Sequence, residues 1–171
     1  MIKRTKKICK GCGTYQYIFS KGNCKACAAR LSKSIKKEKK IKTSDLEKVK
    51  DSLYSQVRRL EASNKSGFLH CYICGQVVHW KHAQLMHYIS RAKKTVRFND
   101  MNCHAGCYTC NVTKRGNLIE YKNKLILQYG ESAVYYLEQK SKEKNRYTVF
   151  QLQEDIQELI LRKEKLLKKL L

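Results

Sequence analysis

Eight of the nine cysteines in this 171-residue chain fall into four Cys-x-x-Cys pairs, and that spacing constrains the fold more than any other feature. The pairs are Cys9/Cys12, Cys24/Cys27, Cys71/Cys74 and Cys107/Cys110. Two intervening residues let a tight turn present both sulfurs to one ion, and two such pairs complete a tetrahedral Zn²⁺ shell. A disulfide framework is the competing use of cysteine, but it belongs to oxidising compartments. Export is not expected. Lys3-Arg4-Thr5-Lys6-Lys7 imitates the start of a signal peptide, yet Cys9-Lys10-Gly11-Cys12 stands where the apolar segment should follow. The reading is a reducing, cytoplasmic setting with two structural zinc ions, one on Cys9, Cys12, Cys24 and Cys27, the other on Cys71, Cys74, Cys107 and Cys110. Cys103 is left over and reads as a small buried hydrophobe.

Charge narrows the partner. Lys and Arg number 37 against 14 Asp and Glu, a net charge of +23. Such an excess calls for a polyanion, and nucleic acid is the commonest. A membrane is excluded as a spanning environment, because no run approaches the roughly 18 apolar residues that a transmembrane helix needs. The first forty residues carry thirteen Lys or Arg and one Glu, so a phosphate backbone is their natural contact.

The expected fold is a small zinc-stabilised α+β protein. Residues 1–30 form a Cys₄ module with a strand at 15–19, a turn at Lys21-Gly22-Asn23, and little hydrophobic core apart from its ion. Residues 31–65 form a basic helical connector. Its Lys36-Lys37-Glu38-Lys39-Lys40 run serves equally well as a solvated linker or a DNA-tracking arm. Leu46, Val49, Leu53, Val57 and Leu60 recur at helical spacing after the capping-box pattern Ser44-x-x-Glu47, which predicts a helix over about 45–62. Residues 66–125 hold the central unit. Strands at 76–80 and 84–89 flank a turn at 81–83; a basic loop at 90–106 follows, then a helix opened by Cys107. Strand, strand and helix around zinc make a ββα unit. Residues 126–171 are helical. Gly130 divides two short helices over 117–140, and Thr148-x-x-Gln151 caps a last helix whose leucines repeat at near-heptad spacing. That helix serves either to dimerise or to pack back on its own domain, the second being slightly favoured.

The thirty-two residues between Cys74 and Cys107 exceed a bare finger loop, so the zinc has something to hold in place. Among them, His87 is the best general base: a neutral imidazole works near pH 7, once a partner such as a loop carbonyl fixes its tautomer. Asn102 can pin the loop. Asn111 follows a zinc ligand at the start of a helix, and its amide oxygen suits a hard cation such as Mg²⁺. Taken alone, a histidine on an apolar strand is more often a core residue than a catalyst. Here the surrounding constellation reverses that preference.

The ordered series Met86-His87-Tyr88-Ile89-Ser90-Arg91, Arg97-Phe98-Asn99, Asn102-x-His104, Cys107-x-x-Cys110-Asn111 and Gly116-Asn117-Leu118 with Tyr121 resembles the phage NinG (Rap) recombination nucleases of the HNH, or His-Me finger, group. The resemblance covers residues 66–140 and extends more loosely to Thr148. It implies a ββα-metal, treble-clef-like core and a structure-specific endonuclease acting on branched DNA, such as Holliday junctions and D-loops, alongside recombination proteins. By the same resemblance, His87 is the general base, Asn102 orients the loop, and Asn111 binds catalytic Mg²⁺.

Many HNH enzymes place a metal-binding Asp or His directly before the base. This chain has Met86, whose thioether does not bind Mg²⁺. His104, His82 or Gln84 is then left to complete the shell, with His104 favoured. Arg91, Lys93, Lys94, Arg97, Lys114 and Arg115 are candidates for phosphate contacts, which position DNA without reading its sequence. Cutting across a symmetric branch favours a homodimer. Two other readings remain: a zinc protein that binds nucleic acid without cutting it, and a coiled-coil assembly factor.

Overall fold

A computed structural model describes residues 5–34 and 41–170, so the connector expected at Lys36–Lys40 lies outside the described residues. The chain divides at residues 40/41 into two compact units. It is an α+β protein with two Cys₄ clusters. Among the described residues, no helix is long and apolar enough to cross a membrane.

The first unit is built on a two-stranded antiparallel ribbon, β1 (Lys6–Ile8) and β2 (Tyr15–Tyr17). The turn between them carries Cys9 and Cys12. It closes through Gly13 N–H to the Cys9 carbonyl at 2.8 Å and Cys9 N–H to the Thr14 carbonyl at 2.9 Å. The turn predicted at Lys21-Gly22-Asn23 forms, bridged by Ser20 and Asn23. Helix α1 (Lys25–Ser34) then starts at the second cysteine pair. Gly11 is required for closeness: a Cβ there would stand 2.9 Å from the Cys27 Cβ.

In the second unit α2 (Thr43–Glu61) buries Tyr54, Val57 and Leu60 on one stripe. Residues 41–65, which the sequence assigned to a connector, therefore belong to this unit. The expected Ser44 capping box does not form: Lys42 is the N-cap, with no side-chain bond. Glu47 instead pairs with Lys94 and Arg97, a stronger use of its charge than an exposed cap.

The strand pairing differs from expectation. β3 (Phe68–His70) and β4 (Val77–His79) form one hairpin, and β5 (Gln84–His87) pairs with β6 (Cys103–Gly106) in another. The turn of the first hairpin is the cysteine knuckle itself. Cys71 N–H reaches the Gln76 carbonyl at 2.8 Å, and Gly75 takes φ +74°, so the chain reverses six residues before the turn that the sequence suggested. Residues 103–106, expected in a loop, are the partner strand of β5. The helix expected from Cys107 is a single π-helical turn over Thr109–Thr113, followed by α3 (Leu118–Tyr129) and α4 (Glu131–Lys140) on either side of Gly130.

Helix α5 (Val149–Lys168) begins with the predicted capping box, Gln151 N–H donating to Thr148 Oγ1 at 3.2 Å. It buries Leu152, Ile156 and Leu159 within the chain. Lys50 pairs with Asp155 and Glu61 with Arg162, in ascending order along both helices, so α2 and α5 run parallel. Leu152, Ile156 and Leu159 of the heptad-spaced face thus pack back on the chain's own unit, the use that the sequence slightly favours. A central core joins Cys71, Met86, Cys107 and Cys110 to Tyr121, Leu125 and Val134, which seats α3 and α4 on the second cysteine cluster.

Candidate active site

Both cysteine clusters have the geometry of a tetrahedral ion site. In each, the four Sγ atoms lie within 4.8 Å of one another. Cys74 and Cys107 Sγ are 3.7 Å apart and Cys12 and Cys24 Sγ 4.0 Å. Zn–S bonds of about 2.3 Å in a tetrahedron put sulfurs roughly 3.8 Å apart. Backbone amides support the thiolate form. Cys24 N–H meets Cys9 Sγ at 3.1 Å and draws that thiol down to about 6. Burial works to raise Cys71, but the amides of Cys74, Cys107 and Ile73 bring it down to about 7. The Cys24 sulfur pushes Cys27 up to about 12, and burial followed by the Cys74 sulfur does the same to Cys110. Sulfurs this close ionise together only with a cation between them. The donor set fits Zn²⁺ at both sites.

The second cluster fixes what lies beside it. Strands β5 and β6 are paired His87 with Cys103 and Met86 with His104. In an antiparallel pair, opposed residues share a face and successive residues alternate. Met86 and His104 therefore face one side, and His87 the other. Met86 is fully buried in the core that contains Cys71, Cys107 and Cys110. Gly106 makes room for it, since a Cβ there would collide with the Met86 side chain and sit 3.2 Å from Cys71 Sγ.

His87 lines a cleft of about 460 Å³ together with Asn111, Arg91, Arg115 and Asp51, with Gln84 at the start of β5 also lining it. His87 Nε2 lies 3.2 Å from the Arg97 carbonyl. A carbonyl only accepts, so Nε2 carries the proton and, in the neutral ring, Nδ1 keeps the lone pair. Burial lowers the pKa of His87 below its usual value, which keeps the ring neutral at pH 7. Asn102 is fully buried and pins the loop that supplies this carbonyl. Its Oδ1 accepts from Ile89 N–H at 2.7 Å, and its Nδ2 donates to the Ile89 and Val96 carbonyls at 2.9 and 3.0 Å.

Two expectations about the site are corrected by this geometry. His104 is on the opposite face from His87, stacked on Tyr72 at 3.8 Å and bonded to the Tyr121 and Tyr129 hydroxyls at 3.0 and 3.3 Å. It is not among the residues lining the cleft, and both its ring nitrogens are engaged by tyrosine hydroxyls, so it is no ligand for a cation there. Burial holds its pKa at about 4. Arg97 is also not free for phosphate, because Asp51 and Glu47 hold its guanidinium in a partly buried cluster. Lys94 pairs with Glu47 at 2.6 Å. Arg91, Lys93, Lys114 and Arg115 are exposed, and of these Arg91 and Arg115 line the cleft. His82 is not among the residues lining the cleft, whereas Gln84 is. Cys103 is buried as read, its thiol donating to the Arg97 carbonyl at 3.2 Å and pushed up to about 12 by burial.

Asp51 is the cleft residue that sequence reasoning missed. One signal pointed to it: Glu47 and Asp51 are like charges at i,i+4, which repel on an isolated helix and so need cations from elsewhere. Arg97 and Lys94 are those cations.

Among curated relatives, the ninG protein of Escherichia phage lambda is 32% identical over 81 residues, covering 47% of this chain and 39% of that protein. The ninG protein of Escherichia phage 933W is also 32% identical over 81 residues, covering 47% and 40%. That of Enterobacteria phage H19B is 36% identical over 58 residues, covering 34% and 28%. The matched segment thus spans about two fifths of the first two relatives. No solved structure matches. Residues 28–170, most of the chain, match the family model described as the bacteriophage lambda NinG protein, and the chain belongs to the NinG family.

Proposed function

We propose that the chain is an HNH-type, metal-dependent endonuclease that hydrolyses phosphodiesters in branched recombination DNA. The observation that carries this reading is one shared cleft: a neutral His87 with its tautomer set by the Arg97 carbonyl, facing the same space as Asn111, Arg91 and Arg115. The β5–β6 hairpin followed by the Cys107–Cys110 turn and α3 supports a ββα-metal arrangement, with His87 on its first strand and Asn111 in the turn.

In this reading His87 Nδ1 takes the proton of an attacking water. Arg91 and Arg115 hold the phosphate. Asn102 acts on His87 through the loop and is a positioning residue. The Asn111 amide oxygen fits a hard divalent cation as part of a sparse shell, and Mg²⁺ commonly keeps several waters and takes substrate phosphate beside few protein oxygens; the Asp51 carboxylate is held by Arg97. Once bound, such an ion supplies positive charge for the developing phosphorane and the leaving oxygen. The test is nicking of a synthetic four-way junction and a D-loop beside sequence-matched linear duplex, in Mg²⁺, with zinc quantified on the same sample. Branched substrate is cut and His87→Ala is inactive. Undiminished cutting by clean His87→Ala protein would overturn the site.

A second reading, a zinc-containing protein that binds nucleic acid without cutting it, draws on the thin cation shell now that Met86 and His104 both face away. Tight, salt-sensitive binding with no cleavage in Mg²⁺, Mn²⁺ or Ni²⁺ would establish it.

A further inference from the structure

The first cysteine module stands almost wholly outside the family match, which begins at residue 28. Its ribbon has two unlike faces. On one, Gln16 Nε2 bonds Cys12 Sγ at 3.2 Å and Thr14 Oγ1 at 2.6 Å, so this face is committed to the metal knuckle. The pleat then sends Tyr15 and Tyr17 to the other face, together with their cross-strand partners Ile8 and Lys6. Tyr15 is 70% exposed and Tyr17 58%. These two exposed tyrosines stand outside the buried core of the unit, which is the cysteine cluster with Ile18 packed against it.

We infer that the Tyr15/Tyr17 face of this module is a base-stacking platform for unpaired DNA strands. Charge selects a nucleic acid: residues 5–34 contain seven Lys or Arg and no Asp or Glu. Lys6 Nζ lies over the Tyr17 ring, 5.1 Å from its centroid, which puts a cation for phosphate on one face of that ring and leaves the other face and the Tyr15 ring for bases. Tyr17 also lines a cleft of about 650 Å³ together with Lys25, Ala26 and Ala29 of α1. Flat aromatic faces interleaved with cations hold single strands, because the π-face of a base is accessible only when it is unpaired. Duplex offers these tyrosines only backbone. The choice of DNA over RNA rests on the endonuclease reading above; the module itself is argued from its own face.

The test is fluorescence anisotropy of the full-length, zinc-loaded chain with labelled oligo-dT, oligo-rU and a duplex of equal length, without added magnesium. Tyr15→Ala/Tyr17→Ala is expected to weaken oligo-dT binding at least tenfold, by loss of stacking, and duplex binding less than threefold. Tyr15→Phe/Tyr17→Phe, which keeps the rings, retains oligo-dT binding. An unchanged oligo-dT affinity in the alanine variant, or an equal loss on duplex, would overturn the platform. Tighter tyrosine-dependent binding of oligo-rU than of oligo-dT would overturn the DNA assignment. As a measurement on unaltered protein, photocrosslinking to an iodouracil-substituted strand should label the peptide from Tyr15 to Phe19; labelling confined to other segments overturns the inference. Junction cutting is a separate readout, so His87→Ala can fail or succeed without touching these results.

Discussion

Replacing Asn102 with alanine tests whether one carboxamide holds the loop that orients His87. The side chain is fully buried and makes three bonds, to Ile89 N–H, the Ile89 carbonyl and the Val96 carbonyl, at 2.7, 2.9 and 3.0 Å. Truncation strands one donor and two acceptors, of which the Val96 carbonyl is buried and the Ile89 groups are partly so. Each abandoned buried group costs about 1–3 kcal/mol, with carbonyls near the low end because a second lone pair remains. The sum is about 3–4 kcal/mol, a large part of the roughly 5–15 kcal/mol that holds a domain together. The chain has one tryptophan, Trp80, in the second unit, so its fluorescence follows the unfolding of that unit alone. At fixed free zinc, the urea midpoint should fall by about 1–2 M for a slope of about 2 kcal/mol per M. Native-state hydrogen exchange supplies a local check, because the Ile89 amide loses its acceptor. A midpoint shift below about 0.3 M with the Ile89 amide still protected would refute the reasoning.

Five further outcomes follow from the same geometry. On the proposed endonuclease reading, His87→Ala should reduce junction cutting by about 10²–10⁴-fold, the usual share of a general base. On the same reading, the wild-type cutting rate should hold constant above neutrality and fall in acid below the usual histidine range, because burial lowers this pKa; a rate that rises in acid would rule out the base role. Mass spectrometry under native conditions should find two zinc ions per chain, and Cys9→Ser should lose one while the Trp80 transition persists; loss of that transition would mean the units are not independent. His104 stays neutral in the folded state down to about 4, whereas an unfolded imidazole titrates near 6.5. The unfolded state therefore takes up the extra proton, and stability falls as pH drops from about 6.5 to 4, by up to about 3 kcal/mol. His104→Phe should flatten that dependence relative to wild type, and an identical slope would contradict it. Gly106→Ala should cost about 1–3 kcal/mol by overpacking against Met86, and a neutral result in thermal unfolding would show that Met86 can move aside.

The cysteine spacings fixed the two ion sites before any coordinate was known, because a tetrahedral sulfur shell needs those intervals and little else. Local chemistry was equally legible in the Thr148/Gln151 cap, the break at Gly130, the burial of Cys103 and the pinning role of Asn102. The pairing of strands was not. β4 turns back on β3 because Gly75 lets the knuckle serve as the hairpin turn, and β5 pairs with β6 across a fifteen-residue loop that Asn102 ties together.

Sequence alone therefore determined which residue types are present at ligand and helix spacing, since those rules act over a few neighbouring positions. Tertiary structure alone decided which side each residue faces. The pleat of β5–β6 put His87 in a cleft with Asn111, sent Met86 and His104 to the core, and left Arg97 neutralised by acids from a helix some forty-six residues earlier. Such assignments depend on register and on partners distant in the chain, and no short motif encodes either.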